Sequence, residues 1–167
     1  MSLADYFKSI LHYDESSGKL FWKYRSNMPS RWNTRYVGKE AGRRNNGYIM
    51  LKIDNQEYYA HRVIWCMKIG SMPEKFIDHV NMDRDDNRFD NLREATSSTN
   101  MMNMRAPSDN TSGFKGVNFN HMRQKWMARI AVNGMRKHLG YFDCKAAAHF
   151  AYVVAADKWH KEFARVL

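Results

Sequence analysis

Cysteine is scarce in this 167-residue chain: Cys66 and Cys144 are the only two. No zinc cage of four thiolates can be built from them, and two lone thiols suit a reducing compartment. No run of eighteen apolar residues occurs, which excludes a transmembrane helix. The stretch from Met1 to Gly18 lacks a basic segment followed by an apolar one, so no secretory signal is expected there. Internal repeats and low-complexity tracts are also missing. The expected setting is the cytoplasm, with no membrane partner.

What is present points to a folded, basic protein. Apolar residues make up 44% and aromatics 14%, enough for a packed core, and the length suits one ordinary domain or two small ones. The net charge of +10 implies a polyanionic partner, most often nucleic acid, although an acidic membrane surface would match the same number. By counting Lys and Arg against Asp and Glu, residues 1–60 carry +4, residues 61–104 carry −1 and residues 112–167 carry +7. Acid groups inside a polyanion-binding chain cost affinity, so the middle segment needs a reason for them, such as a metal ion.

Local patterns predict the elements. Residues 4–12 read as an amphipathic helix with Leu3, Phe7, Ile10 and Leu11 on one face. Lys19–Tyr24 and Gly47–Ile53 read as strands, residues 25–46 as loops, Asp54–Glu57 as a hairpin turn, and His61–Ile69 as a helix ending at Gly70. Phe76–Val80, a polar loop, Asn91–Arg93 and a helix capped by Thr96 or Ser97 form a compact ββα unit. Residues 105–111 have linker composition. Strands follow at Phe114–Asn120, Lys125–Val132 and Arg136–Phe142, with Asn133-Gly134 as a hairpin turn, and then an Ala-rich helix from Cys144 to about Lys161.

The dense polar segment is Asp78-His79-Val80-Asn81, then Asp86-Asn87-Arg88-Phe89-Asp90-Asn91-Leu92-Arg93, then Thr99-Asn100-Met101-Met102-Asn103. Phosphodiester hydrolysis needs an activated water, a cation for the developing charge and fixed geometry. A histidine can take a proton near neutrality, and a carboxylate with an amide oxygen suits Mg²⁺ or Mn²⁺. Adjacent strand residues face opposite ways, so Asp78 and His79 are expected to do different jobs. An EF-hand is excluded, because Arg88 occupies the position that needs glycine. His61 and Arg62 read either as a plain helix start or as a phosphate clamp.

The run from Ala60-His61-Arg62 through Ile77-Asp78-His79 to Asp90-Asn91-Leu92-Arg93 resembles the phage HNH homing endonucleases, the ββα-metal nucleases, over roughly residues 15–104. The resemblance implies that His79 is the general base and that Asp78 and Asn100 are ligands of Mg²⁺ or Mn²⁺, with Asn103 as the competing choice for the second. It also implies that Asn91 orders the loop between the strands. No structural zinc is expected.

In the C-terminal third, Trp126, Ala128, Ile130 and Val132 alternate with polar positions, as on a half-buried strand. Ala147, Ala151 and Ala155 are expected to line the helix face that packs on it. Ser112-Gly113-Phe114-Lys115-Gly116-Val117, Leu139-Gly140-Tyr141-Phe142-Asp143 and Ala151-Tyr152 resemble the Apetala/ethylene-response-factor DNA-binding domain over about residues 111–165. The resemblance implies DNA contacts by Lys115, Asn118, Asn120, Arg129, Arg136 and His138. Asn118 stands where plant members often carry Arg, so base preference does not transfer.

The expected fold is α+β. A nuclease domain at 1–104, with its ββα core at about 74–104, is followed by a linker at 105–111. A three-stranded antiparallel sheet packed on one helix occupies 112–167. The expected partner is double-stranded DNA, bound by a monomer or weak dimer that nicks or cuts it. The rival readings are a DNA-binding regulator on an inactive nuclease fold and an RNA-binding protein.

Overall fold

Ser2 starts the first helix with a reciprocal cap: its Oγ accepts from the Asp5 amide, and the Asp5 carboxylate accepts from the Ser2 amide. The helix, α1 (Leu3–Ile10), buries Ala4, Phe7 and Ile10. It stops short of the expected residue 12, and Leu3 lies outside the buried face at 41% exposure. Leu11 instead opens β1 (Leu11–Asp14), which pairs antiparallel with β2 (Lys19–Trp22). The Asp14 carboxylate closes the turn between them by accepting from Ser16 and Ser17.

These elements belong to a computed structural model that describes residues 1–97, 99 and 110–164. The chain divides into two compact units, Met1–Glu94 and Ala95–Leu167. The mixture of helices with antiparallel sheets is that of an α+β protein. Among the described residues no helix is long and apolar enough to cross a membrane.

In the first unit, residues 25–46 are not all loop. They hold α2 (Ser30–Tyr36) and β3 (Arg43–Asn45). A seven-residue helix has little stability of its own and depends on tertiary anchors that periodicity does not reveal. Trp32 supplies one by packing edge-on against Trp22, and Asn33 supplies another by bonding both backbone groups of Arg25. β4 (Tyr48–Ile53) and β5 (Gln56–Tyr59) complete a sheet of order β3-β4-β5. Their two-residue turn, Asp54-Asn55, has positive φ at both positions. α3 (Ala60–Ile69) follows and ends at Gly70 in the left-handed conformation. Phe7, Leu11, Leu51, Ile53, Val63, Ile64 and Cys66 form the core that joins α1, the sheet and α3.

β6 (Phe76–His79) and β7 (Leu92–Ala95) make a two-stranded sheet, with a 3₁₀ turn at Phe89–Asn91 before β7. Beyond β7, Thr96 and Thr99 exchange backbone and hydroxyl hydrogen bonds in the manner of a helix start. Asn100 and Asn103 lie outside the described residues.

The second unit holds β8 (Val117–Asn120), β9 (Lys125–Val132) and β10 (Met135–Phe142), an antiparallel sheet of order β10-β9-β8. α4 (Lys145–His160) packs on one face. The packing stripe is Ala148, Tyr152, Ala155 and Ala156 against Val117, Ala128 and Ile130; of the expected alanines, Ala155 is in it, Ala151 packs at its edge half-buried, and Ala147 is outside it. Ala147 is exposed because it belongs to the capped first turn, where its amide donates to Cys144 Sγ. The first strand also starts later than expected, since Gly116 adopts a φ of +73°. A Cβ there would lie 2.4 Å from the Arg129 carbonyl oxygen and 2.5 Å from the Tyr152 ring.

Gly116→Ala is therefore expected to destabilise the second unit by about 2–4 kcal/mol, through left-handed strain plus overpacking. Gly113→Ala keeps a positive φ but meets nothing within 4 Å, so it should cost about 1 kcal/mol. Hydrogen exchange at the β9 amides of both variants measures the difference. Equal protection in the two would refute the role given to the Tyr152 contact.

Candidate active site

The polar residues singled out in the sequence converge on β6, β7 and the loop between them. Asp78 and His79 are both buried, at 7% and 4% exposure. The alternation of the strand separates their partners. Asp78 Oδ2 accepts from Arg93 Nε and Nη2 on β7, at 3.0 and 2.9 Å. His79 Nε2 lies 3.0 Å from Asn87 Oδ1. The amide group of Asn87 donates to the Asp85 carbonyl, so its oxygen faces the imidazole and the bond needs a hydrogen on Nε2. In the neutral ring, Nδ1 is then the nitrogen able to take a proton.

Asn87, only 2% exposed, is a site residue to which sequence reasoning gave no role. The one signal for it was its place in the Asp-Asn-Arg run, where turn chemistry explained it equally well.

Asn91 uses its whole side chain on the loop. Its Nδ2 donates to Asn81 Oδ1 at 2.9 Å and to the Asp86 carbonyl at 2.7 Å, while its Oδ1 accepts from the Asn81 amide at 2.9 Å. Asp86 accepts two bonds from the Arg88 guanidinium and a third from Asn81. The Arg88 bonds chiefly, helped by Asn81, hold its carboxyl down at about 2. From outside, the Tyr13 hydroxyl accepts from the Phe89 amide and donates to the Asn87 carbonyl. Gly18, in the β1–β2 turn, approaches the same backbone so closely that a Cβ would lie 2.5 Å from the Arg88 nitrogen.

His61 and Arg62 depart from the phosphate-clamp expectation. His61 is buried at 6% exposure, with its ring edge-on to His79 at 5.2 Å and stacked on Tyr59 at 5.3 Å. Burial, then the neighbouring His79 and Arg62 charges, push its pKa down to about 3, so it stands neutral beside His79. Arg62 donates to the carbonyls of Pro73 and Lys75 and so ties down the chain entering β6. A neutral ring and a guanidinium bonded to carbonyls do not form a cationic clamp. Among the described residues no three His, Cys, Asp or Glu side chains cluster as a metal cage. Asp78 is thus the described member of the expected ligand pair.

In the second unit, the register places most expected DNA contacts on the sheet face opposite α4. Arg129 lies directly across from His138, Arg136 from Ala131, Asn118 from Met127 and Asn120 from Lys125. Arg136 and His138 are exposed and Arg129 is half-buried. Arg123 lies over the Tyr141 ring at 4.8 Å and extends the basic character of this face. Asn120 also caps the β8–β9 turn by accepting from the Arg123 amide. Lys115 is in the turn before β8, not on the sheet.

Comparison with known proteins gives an independent view. Residues 58–102 match the family model described as HNH endonuclease. The chain is 30% identical over 120 residues to Protein 3.8 of Escherichia phage T7, covering 70% of this chain and 98% of that protein. No solved structure matches the chain.

The neutrality of His61 has a consequence for acid stability. An unfolded histidine titrates near 6.5, whereas His61 does so at about 3. Between these values the unfolded state binds more protons, so stability falls as the pH drops below about 6.5. His61→Phe should remove this component and reduce the loss between pH 7 and pH 5 by up to about 2 kcal/mol. Urea unfolding of both proteins at the two pH values tests this, and identical losses would contradict a neutral His61.

Proposed function

We propose, from the premise that this chain belongs to the HNH endonuclease family, that it hydrolyses phosphodiester bonds of duplex DNA and that His79 is the general base. The observation that carries the reading is the His79–Asn87 hydrogen bond. A buried imidazole that donates from Nε2 to an amide oxygen has Nδ1 as its basic nitrogen, the one that would take the proton of an attacking water. Asn87 acts through His79 by setting its tautomer. Asn91 acts one step further back by holding the loop that carries Asn87.

Asp78 and Asn100 would hold Mg²⁺ or Mn²⁺. The donor chemistry fits a hard cation: Asp78 offers carboxylate oxygen in a setting without thiolates, and structural zinc is not part of the proposal. When bound, the ion neutralises charge developing on the phosphate and the leaving oxygen. Arg93 aims Asp78 from β7 through two hydrogen bonds to one carboxylate oxygen. The resemblance to phage HNH homing endonucleases implies products with a 5′-phosphate and a 3′-hydroxyl and a free-standing homing endonuclease as the biological setting; the phage relative supports only the phage part of this.

The second unit serves in this proposal as a DNA-binding module like the Apetala/ethylene-response-factor domain. A three-stranded sheet backed by a helix has the dimensions to enter the major groove, where Arg reads guanine edges. Arg129, Arg136, His138 and Asn118 would face the groove. Lys115 and Asn120 would meet the strand from the turns at either end of β8.

The rival reading, a regulator on an inactive nuclease fold, draws on the ion pair that already neutralises Asp78. Incubation of the protein with supercoiled plasmid and Mg²⁺ separates the two. The active enzyme should nick or linearise the plasmid, and EDTA should abolish this without unfolding the protein. His79→Ala should lower the rate by about 10²–10⁴-fold with DNA affinity unchanged. Asp78→Ala should raise the metal concentration required for half-maximal rate. Near-normal turnover by His79→Ala would sink the assignment.

The module has its own test. Arg129→Gln or Arg136→Gln should cost about 1–3 kcal/mol of binding and relax preference at one base position if the side chain reads a base. A residue that touches only phosphate should weaken binding equally on every sequence. Binding to target and scrambled duplexes distinguishes these, and no change for either variant would remove this face from the DNA interface.

A further inference from the structure

The first unit has a second open sheet face, and its place in the fold links it to His79. Residues 16–53 contain nine Lys and Arg against a single acid, Glu40, which is paired with Lys19. The +4 of residues 1–60 conceals this concentration, because the flanking acids offset it. In the β3-β4-β5 sheet, Arg43 is across from Met50, Met50 from Tyr59, Asn45 from Tyr48 and Lys52 from Glu57. Opposed residues share a face, so Arg43, Asn45, Tyr48, Met50, Lys52 and Tyr59 lie together. Leu51 and Ile53 point the other way, into the core.

The shared face is partly apolar yet open: Tyr59 is 41% exposed, and Tyr48 and Met50 are half-buried. It leads to the catalytic histidine. The Tyr48 ring lies 6.1 Å from His79, and Tyr59 stacks on His61, the neighbour of His79. Arg84, from the loop between β6 and β7, lies 4.7 Å over the Tyr48 ring and donates to the Asn46 carbonyl. Rings on a sheet flanked by cations form a surface suited to a nucleic-acid strand, with phosphates on the cations and sugars or bases on the rings. The Arg43–Glu57 ion pair is exposed on both sides, so a phosphate can replace the carboxylate at little cost.

We propose that this face is a DNA-contact surface that holds the strand entering the His79 site, with Arg43, Lys52 and Arg84 on flanking phosphates and Tyr59 against an adjoining nucleoside. It acts independently of the sheet in the second unit. The proposal rests on the nuclease reading, because its occupant is the strand on which His79 acts.

The test uses the full-length chain and a fluorescent duplex in EDTA, with affinity followed as salt is raised. Each phosphate contact contributes close to one unit to the slope of log affinity against log salt. Arg43→Gln combined with Lys52→Gln should flatten that slope by about two units. Tyr59→Leu should weaken binding several-fold without changing the slope. Glu57→Gln should tighten binding, by freeing Arg43 and removing a negative charge, and a folding defect does not produce that result. If wild type binds and cuts DNA while the double variant keeps its slope and Glu57→Gln gains nothing, this face is not a DNA surface and the nuclease reading stands. If wild type neither binds nor cuts duplex DNA with Mg²⁺ present, the nuclease reading falls and takes this proposal with it. Structured RNA outcompeting duplex DNA would also overturn it, by changing the partner.

Discussion

The side chain of Asn91 holds the loop on which the rest of the site depends. One amide makes three hydrogen bonds across a ten-residue span, to both ends of Asn81 and to the Asp86 carbonyl. A buried amide of this kind is not replaceable by an apolar residue, because the Asn81 and Asp86 groups would be left without it. The bonds hold the loop that carries Asn87, and the Asn87 amide oxygen sets which nitrogen of His79 carries the hydrogen. Nothing in this sequence of dependencies requires the loop to have regular secondary structure. Backbone groups that would have paired in a strand are satisfied instead by Asp, Asn and Tyr side chains.

Burial sets the electrostatic character of this centre as much as charge does. His61 beside His79 is kept neutral mainly by exclusion from water, so two imidazoles stand within 5.2 Å without two positive charges. Asp78 pairs with Arg93, and the Arg88 bonds hold the Asp86 carboxyl down at about 2. Of the acidic residues in the middle of this basic chain, Asp78, Asp85 and Asp86 are each matched to an arginine and Glu94 to Lys75. The slight net negative charge of residues 61–104 is a sum over local pairs, and it leaves the positive surfaces of the flanking segments open.

Much of this was legible in the sequence, for identifiable reasons. The Asn133-Gly134 hairpin, the end of α3 at Gly70 and the strand over Lys125–Val132 follow from local chemistry that tertiary context does not override. The short helix α2 was not legible, since Trp32 and Asn33 stabilise it through partners distant from any local pattern. On α4 the expected stripe held at Ala155 and partly at Ala151 but failed at Ala147. Alanines on several sides of a helix carry no directional signal, and the large Tyr152 decides the orientation. At the site, Asp78, His79 and Asn91 stood out by spacing. Asn87 did not, because an asparagine in a polar loop reads as turn chemistry until its distance to an imidazole is measured. For His61 the sequence left a plain helix start and a phosphate clamp both open, since a histidine at a helix start gives no sign of its burial.

The seating of Gly18 against the Asn87–Arg88 backbone bears on how such a chain can diverge. Two segments separated by about seventy residues in sequence touch main chain to main chain, with no side chain between them to absorb a mismatch. Point changes at exposed loop positions such as Met82 leave that contact untouched. An inserted or deleted residue in either the β1–β2 turn or the loop after His79 would move one backbone against the other. The two segments are therefore expected to keep fixed lengths in related chains even where their letters drift, and a length change in one should appear only with a compensating change in the other.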